Sequence, residues 1–350
     1  MIRFDRYSKI KKLQVIAGGG FAAGLALTLA ACGSSSTSSS SASTAGNSSA
    51  STTSAQHVTI AYVPGVNPFP YYDTAYRGAV AEAKKYGYSV SYVSISKFSP
   101  TVQTNALNAE LAAKPTFLLV SPTDSVALRP VIQRYLDAGI PVMTVGGVLK
   151  DTSGLVAQIA SNNAQGGQLA ADYLGKKLNG TGTVVSLNIA PGNVSIEDRV
   201  TGFVDEMKSK FPNITVLPEA YGGGTAPGNE QEMRSLMLAH PGINGVFGAA
   251  ETNAEGAAAA IAAVGKTGVI QVAAFDASPA EVAAVKSGAI DFLVVQRPAA
   301  QLALAVDYVH DYLTGQKGKI QFSSEISNIG ATLSNIDSPS IKPLLYVSGS

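Results

Sequence analysis

Short apolar runs alternate with helix-like segments along most of the chain, beginning at His57. The first run, HVTIAYV at 57–63, is followed at 73–86 by alanines at helical spacing, and this pair predicts a buried strand followed by a helix. The same cycle repeats to about residue 161 and then begins again. Further strands are predicted at 88–96, 116–121, 140–145, 182–188, 214–219, 244–250, 269–275 and 290–296.

Strands that alternate with helices predict an α/β fold with mostly parallel sheets, and the second series predicts that this arrangement occurs twice. Right-handed crossovers place the carboxyl ends of the strands of each sheet at one edge. In folds of this kind, ligands bind at that edge. The aromatic, proline-rich segment GVNPFPYY (65–72) follows the first predicted strand and is therefore expected there.

The first 31 residues have a different pattern. Five basic residues lie within the first twelve positions, an apolar run extends from Leu13 to Ala31, and small residues precede Cys32, the only cysteine of the chain. This layout is typical of an export signal, and small residues before a cysteine resemble the bacterial lipobox. We expect 1–31 to be a lipoprotein signal peptide and Cys32 to be lipidated, which anchors an extracytoplasmic protein to the bacterial cell membrane. An ordinary transmembrane anchor is the alternative.

Residues 32–56 are almost entirely serine, threonine, alanine and glycine, a composition that predicts a flexible linker. Residues 1–31 hold five basic residues and one acidic residue, so the chain without them has 20 basic and 23 acidic residues, a net charge of −3. This charge argues against nucleic acid as a partner. No P-loop or GxGxxG motif follows a predicted strand, so no nucleotide cofactor is expected.

Eight short motifs give the body of the chain a family resemblance. They are NPFP (67–70), SPTDS (121–125), GIPVMTV (139–145), IASNNAQGGQLAADYL (159–174), EDRVTGF (197–203), VFGAAETNAEGA (246–257), FDASP (275–279) and VVQRP (294–298). Over about residues 57–325 the chain resembles the ribose-binding type of periplasmic sugar-binding protein, the soluble receptor of an ABC importer. The resemblance implies two Rossmann-like lobes with parallel sheets, joined by three crossovers. It places the first lobe at 57–161 plus 297–323 and the second at 162–295 plus 324–350.

By this resemblance the protein is not an enzyme. It is expected to work as a monomer, to need no cofactor, and to deliver a small polar ligand, a sugar or polyol, to the membrane permease of an ABC importer. A lipoprotein that signals to a membrane receptor is an alternative that the sequence leaves open. Residues 328–350 either add strands to the second lobe or cover the hinge.

The resemblance also implies ligand contacts from the first lobe. Asn67 would hydrogen-bond a hydroxyl group, and Phe69 would stack on a ring face unless it only plugs the end of the sheet. Tyr71 and Tyr72 are candidates to supply further hydroxyl groups and ring faces.

Further contacts are implied from the second lobe and from the second crossover. Arg199 would donate to ring or hydroxyl oxygens, with a surface salt bridge as the alternative. Asp276 would accept from two hydroxyl groups, or cap the helix that begins near Pro279. Gln296 would both donate and accept, or only pack in the hinge. Glu251, which follows the strand at 244–250, is expected to line the same crevice.

The sequence departs from the ribose type at several positions, and one pair of them matters most for the ligand. After GIPVMTV, ribose-type proteins carry an Asp-Arg pair that grips the sugar, whereas this chain has Gly146 and Gly147. Loss of the pair predicts that a pentose does not bind in the usual pose. The glycines are expected to leave room for a larger, less hydroxylated or differently oriented ligand.

One enzyme class has a weak match. Ser94-Ile-Ser-Lys97, Ser161-Asn-Asn163 and Lys266-Thr-Gly268 occur in the order found in penicillin-binding serine enzymes. Such an enzyme needs its serine and lysine on one turn of a helix, whereas Ser94 ends an alternating strand. The three histidines, His57, His240 and His310, have no metal-binding spacing. We therefore expect neither catalytic residues nor a metal site.

Overall fold

The computed structural model describes residues 57–349. The predicted signal peptide (1–31), the lipidated Cys32 and the predicted linker (32–56) lie outside the described residues, so they stay predictions. Within 57–349, no helix has the length and apolar character needed to cross a membrane.

Helices and strands alternate along residues 57–349. The strands are β1 (Thr59–Val63), β2 (Ser89–Tyr92), β3 (Phe117–Val120), β4 (Val142–Val145), β5 (Ala157–Ser161), β6 (Gly182–Asn188), β7 (Ile214–Val216), β8 (Ala220–Tyr221), β9 (Gly245–Gly248), β10 (Gln271–Phe275), β11 (Phe292–Val295), β12 (Ser323–Ile326) and β13 (Ile329–Ala331). The helices are α1 (Pro70–Tyr86), α2 (Pro100–Leu111), α3 (Arg129–Asp137), α4 (Asn163–Lys177), α5 (Val194–Lys210), α6 (Ala226–Ala239), α7 (Glu251–Ala263), α8 (Pro279–Ser287) and α9 (Pro298–Leu313).

The strands form two sheets. The first has six parallel strands in the order β2-β1-β3-β4-β5-β12. The second has seven strands, in the order β13-β11-β10-β9-β6-β7 with β8 beside β6, and β13 runs antiparallel to β11. Helices α1, α2, α3 and α9 pack with the first sheet to form the first lobe, and α4 to α8 pack with the second sheet to form the second lobe. The predicted α/β fold with two mostly parallel sheets is confirmed.

Each sheet is covered on both faces. The strands β3 (FLLV) and β10 (QVAAF) are buried at every position, as parallel strands between two layers of helices are. In β1, Ile60 and Tyr62 belong to one apolar cluster, whereas Ala61 and Val63 belong to another. Because side chains alternate across a strand, these clusters lie on opposite faces of the first sheet.

The chain crosses between the lobes three times, in a region that we call the hinge. The crossings follow Ser161 in β5, Val295 in β11 and Ile326 in β12. The last crossing corrects the predicted boundary between residues 323 and 324. That boundary falls inside β12, because the whole of β12 pairs with β5 in the first sheet.

The end of the chain contacts both lobes. Residues 328–349 do both things that the sequence left open, since β13 extends the second sheet and the last described residues cover the hinge. The Tyr346 amide donates to the Ala277 carbonyl oxygen at 3.0 Å. In helix α1 of the first lobe, Arg77 Nη2 donates to the Gly349 carbonyl oxygen at 2.6 Å. The predicted assignment of this whole segment to the second lobe is therefore corrected.

Candidate ligand-binding site

A cavity of about 90 Å³ lies between the two lobes. It has room for roughly six to nine water molecules at about 10–15 Å³ each, which is the scale of a small molecule and not of a polymer. The cavity brings together seven of the predicted ligand residues, namely Phe69, Tyr71, Tyr72, Arg199, Glu251, Asp276 and Gln296.

Asn67, the eighth predicted residue, is not part of the cavity lining. Its Oδ1 accepts from the Ile95 amide at 2.6 Å, and its Nδ2 donates to the Val93 carbonyl oxygen at 3.2 Å. A short side-chain amide can pair with backbone in this way, which fastens segment 65–72 to the segment after β2. The prediction that Asn67 contacts the ligand does not fit this placement.

The aromatic residues around the start of α1 form one wall of the cavity. The helix begins at Pro70, because proline fits the first turn of a helix. The Phe69 and Tyr72 ring centroids are 6.0 Å apart, and the Tyr71 and Tyr72 rings meet edge to face at 5.0 Å. Burial raises the pKa of Tyr71 and of Tyr72 well above the ordinary value of 10.0, so both hydroxyl groups are neutral. Phe98 completes this wall.

Gly146 lies beside Tyr71 and does not leave space for a ligand. A Cβ atom at this position would be 2.6 Å from the Tyr71 hydroxyl oxygen. The expectation that Gly146 leaves room is therefore wrong, because the tyrosine already fills that volume. Gly147 is confined as well, since a Cβ there would be 3.0 Å from the Pro122 carbonyl oxygen.

Arg199 is held in place from three sides. Its Nε donates to Asn163 Oδ1 at 2.9 Å, its Nη1 donates to the Ala249 carbonyl oxygen at 2.9 Å, and its Cζ lies 3.7 Å from the centre of the Phe275 ring. The side chain is buried, so Arg199 does not form the surface salt bridge that was the alternative prediction. Within residues 57–349, Nη2 forms no hydrogen bond, so this nitrogen is available to donate to a ligand.

Asp276 follows β10 and has a φ of +107°, a conformation that is unfavourable for residues other than glycine. It does not cap α8, because that role belongs to Ser278, whose Oγ accepts from the Glu281 amide at 3.1 Å. Asp276 Oδ1 accepts from the Tyr346 hydroxyl at 2.9 Å and from Gln296 Nε2 at 2.5 Å. Its Oδ2 accepts no hydrogen bond from the described residues and can accept from a ligand.

Gln296 joins a row of buried hydrogen bonds, the hinge row, that connects the lobes. Ser161 Oγ donates to Gln296 Oε1 at 2.6 Å, and Gln301 Nε2 donates to Ser161 Oγ at 2.9 Å. The Tyr71 hydroxyl donates to Gln301 Oε1 at 3.1 Å. Together with the bond from Gln296 to Asp276, the hinge row runs from the first lobe to the second, so Gln296 serves both the hinge and the cavity.

Glu251 is the first residue of α7, and its Oε2 is buried without a hydrogen-bond partner among the described residues. Burial and then the negative charge of Asp276 raise the pKa of Glu251 to about 9. Burial, followed by the charge of Glu251, also raises the pKa of Glu281 well above its ordinary value. At neutral pH, Glu251 is therefore protonated and can donate as well as accept a hydrogen bond.

Two further polar side chains of the cavity lining lack partners. Ser195 Oγ and Thr252 Oγ1 are buried and form no hydrogen bond within residues 57–349. Because most buried polar atoms in proteins are paired, such atoms in a cavity indicate a polar ligand. Neither residue is among those that the sequence pattern indicated. Ser195 precedes Arg199 by four positions in α5, and this helical spacing could have identified it.

No group of three or more His, Cys, Asp or Glu side chains within residues 57–349 could hold a metal ion. The lining residues offer hydrogen bonding and ring contact. Asp276 Oδ2 accepts, Arg199 Nη2 donates, and the hydroxyl groups of Ser195 and Thr252 can do either.

Known proteins are similar to this chain in sequence and in fold. A family model described as a periplasmic binding protein domain matches residues 60–317. The ribose import binding protein of Salmonella typhimurium is 29% identical over 269 residues, which cover 77% of this chain and 89% of that protein.

Two solved structures of binding proteins are also similar. An ABC transporter solute binding protein from Agrobacterium vitis, bound with alpha-D-tagatopyranose, superposes with a TM-score of 0.80 at 31% identity, covering 83% of this chain and 100% of that one. A carbohydrate transporter solute binding protein from Agrobacterium radiobacter, in complex with D-arabinose, gives a TM-score of 0.78 at 27% identity, with coverage of 83% and 100%.

Proposed function

Because the chain belongs to the periplasmic binding protein family, we propose that it is an extracytoplasmic solute-binding protein that holds one sugar or polyol molecule between its lobes and delivers it to the permease of an ABC importer. Family membership confirms that the chain is a binding protein and not an enzyme. The relatives described above are sugar-binding proteins, which supports a sugar as the ligand.

The observation that carries the proposal is that one interlobe cavity contains both aromatic ring faces and polar atoms without hydrogen-bond partners. A sugar has an apolar face of C–H groups and an edge of hydroxyl groups. Phe69 and Tyr72 can cover the face, while Arg199, Asp276 and Ser195 can bind the hydroxyl groups. The two kinds of contact come from different lobes, so a ligand that uses both holds the lobes together.

The serine-enzyme alternative has no support in the arrangement of its residues. Ser94 and Lys97 lie in the loop between β2 and α2, not on one turn of a helix. Ser161 is engaged in the hinge row by Gln296 and Gln301. The three motifs therefore do not form a catalytic group.

A thermal-shift screen tests the ligand class directly. The purified protein should be mixed in turn with sugars, polyols, sugar acids and small amides at millimolar concentration. We expect at least one sugar or polyol to raise the melting temperature in a saturable way. If only compounds of another class stabilise the protein, the sugar-binding proposal is refuted.

Import and signalling can be separated in cells. Deletion of the gene should abolish uptake of the isotope-labelled ligand at low external concentration, because the permease then receives no loaded binding protein. Normal uptake together with loss of a transcriptional response to the ligand would refute import and support a signalling lipoprotein.

We also propose, from the sequence alone, that Cys32 is lipidated and tethers the protein to the membrane through residues 32–56. Mass spectrometry of the wild-type protein should show a lipid-modified Cys32 as the first residue. Cys32→Ala should give an uncleaved or soluble protein. An unmodified Cys32 in the mature wild-type protein would refute the anchor.

A further inference from the structure

The two walls of the cavity differ in chemistry. The first lobe contributes mainly rings and apolar groups, with Phe69, Tyr72, Phe98 and Pro122 among them. Within residues 57–349, the Arg, Asp and Glu side chains that line the cavity all come from the second lobe, namely Arg199, Glu251 and Asp276. A ligand that fits both walls therefore has one polar side and one apolar side.

Most polar groups of the first lobe near the cavity already form hydrogen bonds with other protein groups. The Tyr71 hydroxyl donates to Gln301 Oε1 at 3.1 Å, and Ser121 Oγ is 3.1 Å from the Tyr62 hydroxyl oxygen. Asn67 uses both ends of its amide on the backbone. Tyr72 is the exception, because its hydroxyl group forms no hydrogen bond among the described residues.

The position of Gly146 removes a further source of polar contacts on this wall. Any side chain there would collide with the Tyr71 hydroxyl, 2.6 Å from the place of a Cβ atom. A carboxylate at this position is therefore incompatible with the observed placement of Tyr71. The first lobe has ring surface where a fully hydroxylated sugar would need partners.

A sugar hydroxyl group buried against the rings of this wall, out of reach of the Tyr72 hydroxyl group, loses its hydrogen bonds to water without full replacement. Leaving such a group unpaired weakens binding by roughly 5- to 150-fold. A methyl group in the same place gains from burial against the rings. The wall thus discriminates against one hydroxyl group and in favour of a deoxygenated carbon.

We propose that the ligand is a 6-deoxyhexose, bound with its methyl group against Phe98 and Pro122 and its hydroxyl groups against the second lobe. The inference rests on the proposed function, because it specifies which sugar the interlobe cavity takes. Arg199, Asp276 and Ser195 bind the ring hydroxyl groups, and Phe69 and Tyr72 cover the ring face.

Matched sugar pairs test the inference by isothermal titration calorimetry on the purified protein. Each pair differs by one hydroxyl group: D-fucose and D-galactose, L-fucose and L-galactose, L-rhamnose and L-mannose. We expect the deoxy member of the recognised pair to bind at least about 10-fold more tightly than its parent.

Two other outcomes are distinguishable from the expected one. If a parent hexose, or a pentose tested alongside, binds as tightly as any deoxy sugar or more tightly, the inference is overturned while the proposed function stands. If no sugar or polyol binds, both are overturned.

A variant tests whether the first-lobe wall causes the preference. Phe98→Gln places an amide on that wall, so it should reduce the affinity ratio between the deoxy sugar and its parent by at least about threefold. Phe322→Gln is the matched control, because Phe322 is an exposed phenylalanine outside the cavity lining. An unchanged ratio in a folded Phe98→Gln variant would overturn the assignment of the methyl group to this wall.

Discussion

Asp276 accepts two hydrogen bonds from the protein at one oxygen and leaves the other oxygen for a ligand. Asp276→Asn removes the charge and replaces one acceptor by a donor, so a ligand hydroxyl group loses its partner. A buried polar group left unpaired costs about 1–3 kcal/mol. The affinity for the sugar found in the screen should therefore fall by roughly 5- to 150-fold, as measured by isothermal titration calorimetry.

The matched control for this variant is Asp337→Asn. Asp337 is an exposed aspartate that pairs with Lys286 at 2.9 Å, outside the cavity lining. Its replacement should leave the affinity unchanged. Wild-type affinity in Asp276→Asn would mean that the ligand binds elsewhere.

The raised pKa of Glu251 has a consequence for stability. In the folded protein the carboxyl group titrates near 9, whereas its ordinary value is 4.5. Between these pH values the folded protein holds a proton that the unfolded chain has released, so the free energy of unfolding falls as the pH rises. For this one group the fall is up to about 1.4 kcal/mol per pH unit.

Glu251→Gln cannot ionise, so it should flatten the decrease of the melting temperature between about pH 5 and pH 9. The control is Glu325→Gln, because Glu325 is an exposed glutamate of β12. It should melt with the same pH dependence as the wild type. A slope in Glu251→Gln as steep as in the wild type would assign the effect to another group, such as Glu281.

At the scale of elements, the contact between α4 and α5 sets the position of Arg199. A Cβ atom on Gly167 in α4 would lie 1.9 Å from the Arg199 carbonyl oxygen. Gly167→Ala must therefore push α5 away and move the guanidinium group. Overpacking of this kind costs about 1–3 kcal/mol, which urea unfolding should detect, and ligand affinity should fall as well.

Gly242→Ala is the control for the helix contact. A Cβ atom on Gly242 would meet nothing within 4 Å, so this variant should unfold and bind like the wild type. If Gly167→Ala also behaves like the wild type, the close approach of α4 and α5 does not position Arg199.

Most elements could be predicted from the sequence because parallel strands buried on both faces are short apolar runs. The run at 116–121 became β3, and the run at 269–275 became β10. The run at 88–96 predicted a longer strand than β2. The strand ends at Tyr92, because the chain after it hydrogen-bonds with Asn67 in the aromatic segment. Local periodicity does not encode that pairing.

The candidate site was predictable where its residues follow strands. Glu251, Asp276 and Gln296 each come directly or almost directly after one, and they meet at the edge of the second sheet. The contacts of Tyr71 and Tyr346 were not predictable. Tyr346 lies 70 residues from Asp276, and a glycine such as Gly146 gives no sign in sequence of the side chain that fills its space.

At the scale of the whole molecule, the division of the cavity between two lobes predicts closure. A ligand that contacts both walls stabilises the arrangement in which the walls are near each other. Small-angle X-ray scattering should show a smaller radius of gyration on addition of the sugar found in the screen. The Asp276→Asn variant at the same sugar concentration is the control and should respond less. An unchanged radius, with binding verified by calorimetry, would mean a rigid site.

All hydrogen bonds of the hinge row donate in one direction, toward the Asp276 carboxylate, and this carboxylate sets that direction. Ionised Asp276 can only accept, so Gln296 must turn its amino group toward it and its oxygen toward Ser161. Ser161 must then donate to the Gln296 oxygen, so Ser161 Oγ accepts a hydrogen bond from the Gln301 amino group. The Gln301 oxygen is left to accept the hydrogen bond from the Tyr71 hydroxyl. A single acceptor carboxylate in the second lobe thus fixes the direction of every hydrogen bond in the hinge row as far as Tyr71 in the first lobe.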